Sequence, residues 1–251
     1  FVHALGTARG EWATGEGCIV RVEDAAAEGF GGVAPLPEFG SESVAAGGRF
    51  LQGLVEAPEL AAGTDALAAL PCCAFALRSA QAALTGGGAA RRDYQVAALL
   101  PAGHAAIGVA GQKVAQGYHT FKWKIGVAPV AVEQALFNQL SAALPAHARL
   151  RLDANCGLSP QQLESWLHFL QAHRARVEYV EQPLPVGQEA AMADCAAASG
   201  VAIALDESLN GAQGARWLRP GGWSGPLVVK PALAGERDRL LERLRPLAAQ
   251  L

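Results

Sequence analysis

Residues 120–125 read TFKWKI, and residues 148–154 read ARLRLDA. Both alternate apolar and polar side chains with the period of two that marks a β-strand. Four more runs repeat the theme: YQVAALL (94–100), VEYVEQ (177–182), VAIALDE (201–207) and PLVVKPA (226–232). Helix-length segments fill the gaps, among them PVAVEQALFNQLSAAL and SPQQLESWLHFLQAH. Ser159 before Pro160 has the form of a helix N-cap with proline in the first turn. Repeated strand–helix units predict an α/β fold of parallel strands joined by right-handed crossovers. Six units fit a (β/α) barrel or an open doubly wound sheet. No glycine-rich phosphate loop is present, which weakens the nucleotide-binding open sheet.

Outward from these runs, the first 92 residues have a different texture. CIVRVED (18–24) alternates like a half-buried strand, and GFGGVAPLP (29–37) is rich in turn formers. Residues 42–57 and 64–84 are rich in Ala and Leu and predict helices, and TGGGAARR (85–92) is the linker candidate. The expected organisation is a small α+β domain over 1–92 and a barrel domain over 93–251.

Composition narrows the partners. The 251 residues are 51% apolar and 17% charged, with a formal net charge of −3. That is a globular composition with no basic stripe, so nucleic acid is not an expected partner. No apolar run approaches the roughly 20 residues that span a bilayer. FVHALGTARGEW, at the start, lacks the regions of a signal peptide. The five cysteines, Cys18, Cys72, Cys73, Cys156 and Cys195, fit no metal-binding spacing. A cytoplasmic setting with reduced thiols is expected.

The strand ends carry the chemistry. Near their C-terminal ends stand Lys122 and Lys124, Asp153 and Asn155, Glu181, Asp206 and Glu207, and Lys230. Alternation puts Lys122 and Lys124 on one face, opposite Phe121, Trp123 and Ile125, and puts Asp153 with Asn155. In a barrel these ends form the active-site face. Asp153, Glu181 and Asp206 would repel one another there without a counter-charge. An all-oxygen carboxylate set suits a hard cation such as Mg²⁺. A lysine beside that cation is expected to have a lowered pKa and to act as a base. The class of reaction implied is proton abstraction next to the carboxylate of a small-molecule substrate.

The motifs FKWKIG, RLDANCG, VEYVEQPLP, ALDES and VVKPALAG, in this order and spacing, resemble the enolase superfamily, muconate-lactonizing subgroup. The resemblance implies a modified barrel with an N-terminal α+β capping domain. Within the subgroup, VVKPALAG and APLPEFGSES are most similar to the o-succinylbenzoate synthase family. That resemblance implies dehydration of 2-succinyl-6-hydroxy-2,4-cyclohexadiene-1-carboxylate to 2-succinylbenzoate, a step of menaquinone or phylloquinone synthesis. It implies Asp153, Glu181 and Asp206 as ligands of Mg²⁺ or Mn²⁺, and Lys124 as the base that returns its proton to the leaving hydroxyl. Lys230 would stabilise the enediolate from the opposite side, Lys122 would assist by charge, and Asn155 and Glu207 would support the ligands. An N-acylamino acid racemase or dipeptide epimerase is the alternative within the superfamily. Two departures stand out. Gly32 occupies a cap position where Glu is usual. The family also has two further strands beyond the sixth, so a chain ending at Leu251 is expected to be incomplete, or an inactive fragment or scaffold.

Overall fold

The structure is a computed structural model that describes residues 5–7, 10–12, 14–58, 67–84 and 93–250. In chain order the elements are β1 (Leu5–Thr7), β2 (Gly10–Trp12), β3 (Cys18–Glu23), β4 (Glu28–Val33), α1 (Val44–Glu56), α2 (Pro71–Leu84), β5 (Ala98–Leu100), α3 (Ala105–Ala115), β6 (Thr120–Lys124), α4 (Val130–Ala143), β7 (Arg149–Asp153), α5 (Pro160–Leu170), β8 (Val177–Glu181), α6 (Glu189–Ser199), β9 (Ile203–Ala204) and α7 (Arg237–Leu244). They sort into two compact units, one of residues 1–14, 93–208 and 224–228, the other of 15–92, 209–223 and 229–251. One border, at 92/93, is where the sequence texture changes. The others cut segments that read as continuous. The linker candidate 85–92 lies outside the described residues.

In the first unit, five parallel strands run in the order β5-β6-β7-β8-β9. Phe121, Trp123, Leu150, Leu152 and Val180 are fully buried, as are Phe137, Leu140, Leu163, Trp166 and Leu170 of the helices. Each such burial contributes about 1.5–3 kcal/mol. The alternation read from TFKWKI and ARLRLDA thus holds. The α5 start is also as read: Ser159 and Gln162 form a reciprocal capping box, with Pro160 in the first turn.

The register places the polar ends side by side. Lys124 pairs with Asp153, Asp153 with Glu181, and Glu181 with Ala204. One irregularity makes this possible. Leu150 pairs with Val177, but Arg151 pairs with Tyr179, so β8 carries one extra residue, Glu178. Without that bulge Asp153 would pair with Val180. A slip of one residue moves every later side chain to the opposite face. The bulge is therefore what turns Glu181 toward Asp153.

Three strand expectations were too long. Only Ala98–Leu100 of the first run is strand, and only Ile203–Ala204 of the fifth. The sixth is reduced to a single bridge, Leu205 to Leu227, in a run interrupted by Pro226 and Pro231, which lack the N–H a ladder needs.

In the second unit, β3 and β4 form an antiparallel hairpin. Its turn is held by Asp24, whose Oδ1 accepts from the N–H groups of Ala26 and Ala27 at 2.8 Å. Two of the three buried positions of β4, Gly29 and Gly31, are glycine, and Val33 is the third. A Cβ on Gly29 would lie 2.0 Å from the Ala80 carbonyl oxygen, and one on Gly31 would lie 2.0 Å from that of Ala76. Two residues of strand advance about 6.6 Å and four of helix about 6 Å, so glycines two apart meet alanines four apart. The small-residue content of this region is a backbone-to-backbone contact between β4 and α2. The helix begins at Pro71, inside the expected 64–84, and residues 59–66 are outside the described set.

Candidate active site

The ends of β6, β7 and β8 build a buried cluster of opposite charges. Lys122 Nζ lies 2.6 Å from Glu181 Oε1 and 3.0 Å from Asp153 Oδ2. Lys124 Nζ shares that Asp153 oxygen at 3.0 Å and donates a second bond to Asn155 Oδ1. Asn155 Nδ2 donates to Glu207 Oε1 at 3.3 Å, and the Asn155 N–H donates to Asp153 Oδ1 at 3.1 Å. Asn155 itself sits at a φ of 43°, a left-handed conformation that Asn tolerates better than most residues. Asp153, Asn155, Glu181, Asp206 and Glu207 are all buried, and Lys124 is only 6% exposed.

The electrostatics separate the two lysines and the carboxylates. Burial works against the Lys122 ammonium, but Glu181 and Asp153 outweigh it and raise its pKa above the usual lysine value. Lys122 thus sits between two carboxylates and keeps its charge, in keeping with the assisting role by charge that the resemblance implies for it. Burial likewise opposes ionisation of Asp153, and Lys122 and Lys124 overcome it, so Asp153 lies below the ordinary carboxylate range. Glu181 goes the other way. Burial and the neighbouring Asp153, opposed by Lys122 and reinforced by Asp206, push it up to about 8.

The residues present fit a hard cation. Glu181 Oε2 is buried and has no hydrogen-bond partner within the described structure. A buried carboxylate oxygen in that state is costly. The donors are all carboxylate oxygens, the chemistry of Mg²⁺ and Mn²⁺ sites. Among the described residues no three Asp, Glu, His or Cys side chains stand as a ready-made metal cage. The Lys122 ammonium bridges Asp153 and Glu181 instead.

Lys230 belongs to the second unit. It precedes the short 3-10 turn Pro231–Leu233, and its Nζ stands 5.1 Å from the centre of the Phe39 ring. The second unit also holds a cavity of about 420 Å³, lined in part by Leu67, Leu218, Leu233, Leu240 and Arg243. Among the described residues no helix is long and apolar enough to cross a membrane.

Four polar residues of the first unit escaped the sequence reading. Glu133 accepts the N–H groups of Gly126, Val127 and Ala128 at 2.9–3.0 Å and so pins the loop after Lys124. Gln182, Glu189 and Ser208 form a second buried group beyond β8. The available signal was the pair Glu181-Gln182 at the end of the run VEYVEQ, where two consecutive polar residues cannot both face outward.

Comparison with known proteins adds the family context. The family described as enolase C-terminal domain-like matches residues 106–222, and the MenC N-terminal domain matches residues 8–84. The o-succinylbenzoate synthase of Thermosynechococcus vestitus (strain NIES-2133 / IAM M-273 / BP-1) is 39% identical over 246 residues, which are 96% of this chain and 76% of that protein. A crystal structure of o-succinylbenzoate synthase from Thermosynechococcus elongatus BP-1, with Mg in its active site, aligns with a TM-score of 0.85 at 39% identity, covering 97% of this chain and 77% of that one. The L-Ala-D/L-Glu epimerase of Bacillus subtilis aligns with a TM-score of 0.77 at 22% identity, covering 98% and 75%, a likeness of fold alone.

Proposed function

The chain belongs to the o-succinylbenzoate synthase family of the enolase superfamily, and we propose that it dehydrates 2-succinyl-6-hydroxy-2,4-cyclohexadiene-1-carboxylate to 2-succinylbenzoate. The observation that carries the reading is the shared Asp153 oxygen, 3.0 Å from both lysines, beside a Glu181 oxygen with no partner. Asp153, Glu181 and Asp206 would hold Mg²⁺ or Mn²⁺. The chemistry such a cation supplies when bound is polarisation of the substrate carboxylate and neutralisation of the charge that develops as the α-proton leaves.

The remaining work falls to the chain's own residues. Lys124 takes the α-proton and passes it to the departing hydroxyl. The C–H and C–O bonds break, a ring double bond forms, and water leaves. Asn155 and Asp153 aim the Lys124 amine. Lys122 stays charged and offsets the carboxylates. Lys230 is assigned the second cationic role by its motif, VVKP. Glu207 supports Asn155. We assign residues 1–92 to the cap and 93–251 to the barrel. The buried thiols of Cys72 and Cys73 suit a reducing, cytoplasmic setting.

The deciding experiment incubates the chain with the cyclohexadiene carboxylate and follows 2-succinylbenzoate, beside a deuterium-exchange assay on N-acylamino acids. Dehydration that stops with EDTA and returns with Mg²⁺ is the expected result. Exchange without dehydration would replace this reading by a racemase, and activity indifferent to chelation would remove the metal assignment.

A further inference from the structure

We infer that Gln182 is a positioning residue that fixes the spacing between Glu181 and Asp206, an inference that rests on the metal-site reading above. Gln182 is fully buried and holds a φ of 34°, uncommon for a residue with a side chain. Its amide is saturated. Oε1 accepts from the N–H groups of Asp206 at 3.0 Å and Ser208 at 3.2 Å. Nε2 donates to the Leu184 carbonyl at 3.1 Å and to Ser208 Oγ at 2.8 Å. All four capacities of the group are used. The orientation of the amide is fixed by chemistry, because Asp206 and Ser208 present backbone donors that only an oxygen can meet.

The main chain of the same residue extends the tie. Its N–H donates to Ala204 at 2.9 Å, and its carbonyl accepts from Cys156 at 2.8 Å. Gln182 therefore touches the loops that follow β7, β8 and β9, the three loops beside Asp153, Glu181 and Asp206. Ser208 Oγ donates onward to Glu189 Oε1 at 2.7 Å, and the Gly187 N–H donates to that oxygen at 3.0 Å. The network thus reaches the first turn of α6.

A tie of this kind is needed here. The ladder between β8 and β9 stops at the pair Glu181–Ala204, two residues short of Asp206. The Leu205–Leu227 bridge holds the residue before Asp206 on its far side, but on the side of β8 no strand pair reaches Asp206, and there the Gln182 side chain takes over where the ladder ends. Groups that orient metal ligands in this way typically change metal affinity by roughly 10- to 100-fold when removed.

The test uses the whole chain and Mn²⁺ as the probe, with its dissociation constant read by electron paramagnetic resonance and the melting temperature measured beside it. Gln182→Leu keeps the volume and deletes the amide. We expect it to weaken Mn²⁺ binding about 10- to 100-fold and to raise the Mg²⁺ concentration for half-maximal activity by the same factor. Ser208→Ala keeps the Gln182–Asp206 bond but cuts the link to Glu189, and is expected to weaken Mn²⁺ binding about three- to tenfold. A lowered melting temperature with wild-type Mn²⁺ affinity would make the network merely structural and overturn the inference. If Gln182→Leu does not fold, Ser208→Ala decides alone: wild-type affinity overturns, weakened affinity supports. A wild-type chain that binds no Mn²⁺ would instead bring down the metal-site reading, and this is seen before any variant is made.

Discussion

The two units bury carboxylates under opposite rules. In the second unit Glu42 accepts the N–H groups of Cys72 at 3.1 Å and Cys73 at 2.8 Å, at the start of α2, with one bond to each oxygen. That carboxylate closes a helix end, where free N–H groups and the helix dipole favour a negative charge. In the first unit Glu181 has one oxygen on Lys122 and the other without a hydrogen-bond partner. The contrast separates carboxylates that hold the chain in place from one that is held in place for another purpose. Glu133 shows that the first unit uses the structural rule too, so its exception at Glu181 is local to the strand ends.

The sharpest way to break the contrast is Lys124→Ala. If the cluster is chemical, this variant loses about 10²- to 10⁴-fold in 2-succinylbenzoate formation while its melting temperature stays near wild type, since Lys122 still neutralises Asp153. Survival of the activity would remove Lys124 as base. Glu181→Gln comes next. It removes the charge from the carboxyl with the open oxygen, and we expect Mg²⁺ affinity in calorimetry to fall about 100-fold without loss of thermal stability. A large loss of stability with unchanged affinity would make Glu181 another Glu42.

Two changes in the second unit probe the other side of the comparison. Gly31→Ala would place a methyl 2.0 Å from the Ala76 oxygen. Overpacking against backbone costs about 1–3 kcal/mol, and the upper end is expected because a helix carbonyl cannot swing away. Urea unfolding would show it, with Mn²⁺ affinity unaltered. Glu42→Gln weakens the charge at the α2 start and is expected to cost about 1 kcal/mol, again with no effect on the metal. A weakening of metal binding by either variant would mean that the units do not divide their tasks as described.

The sequence showed the site better than its supports. Lys122, Lys124, Asp153 and Asn155 were legible because TFKWKI and RLDAN alternate cleanly, and alternation alone fixes which side chains share a face. Glu181 was legible as a strand end, but its facing depended on the bulge at Glu178, and no pattern in VEYVE announces an extra residue. The β9 strand was overestimated for a related reason. VAIALDE (201–207) reads as one strand run, yet the backbone of Asp206 bonds to the Gln182 side chain, and a side chain cannot be foreseen as a substitute for a ladder. In the second unit the glycines of GFGG look like turn signals. Their actual use, close approach of a strand to a helix, depends on α2 lying against β4, which is a tertiary fact. The compact units do not follow the sequence's change of texture throughout, because residues 209–223 and 229–251 carry no change of texture that sets them apart.

Gly32 gives the smallest expected effect and the finest test of how the second unit treats its glycines. It lies between Gly31 and Val33, both buried, and points the opposite way. A Cβ there meets nothing within 4 Å, and Gly32 is the strand partner of Ile19, itself 79% exposed. Gly32→Glu introduces the side chain that the resemblance leads one to expect there, so one substitution tests both space and role. Surface changes of this kind stay within about 0.5 kcal/mol, and urea unfolding is expected to fall inside that window, in contrast to its neighbour Gly31. If the turnover with the cyclohexadiene carboxylate is also unchanged, the glycine is a neutral departure. If KM falls while stability holds, position 32 contributes to substrate binding.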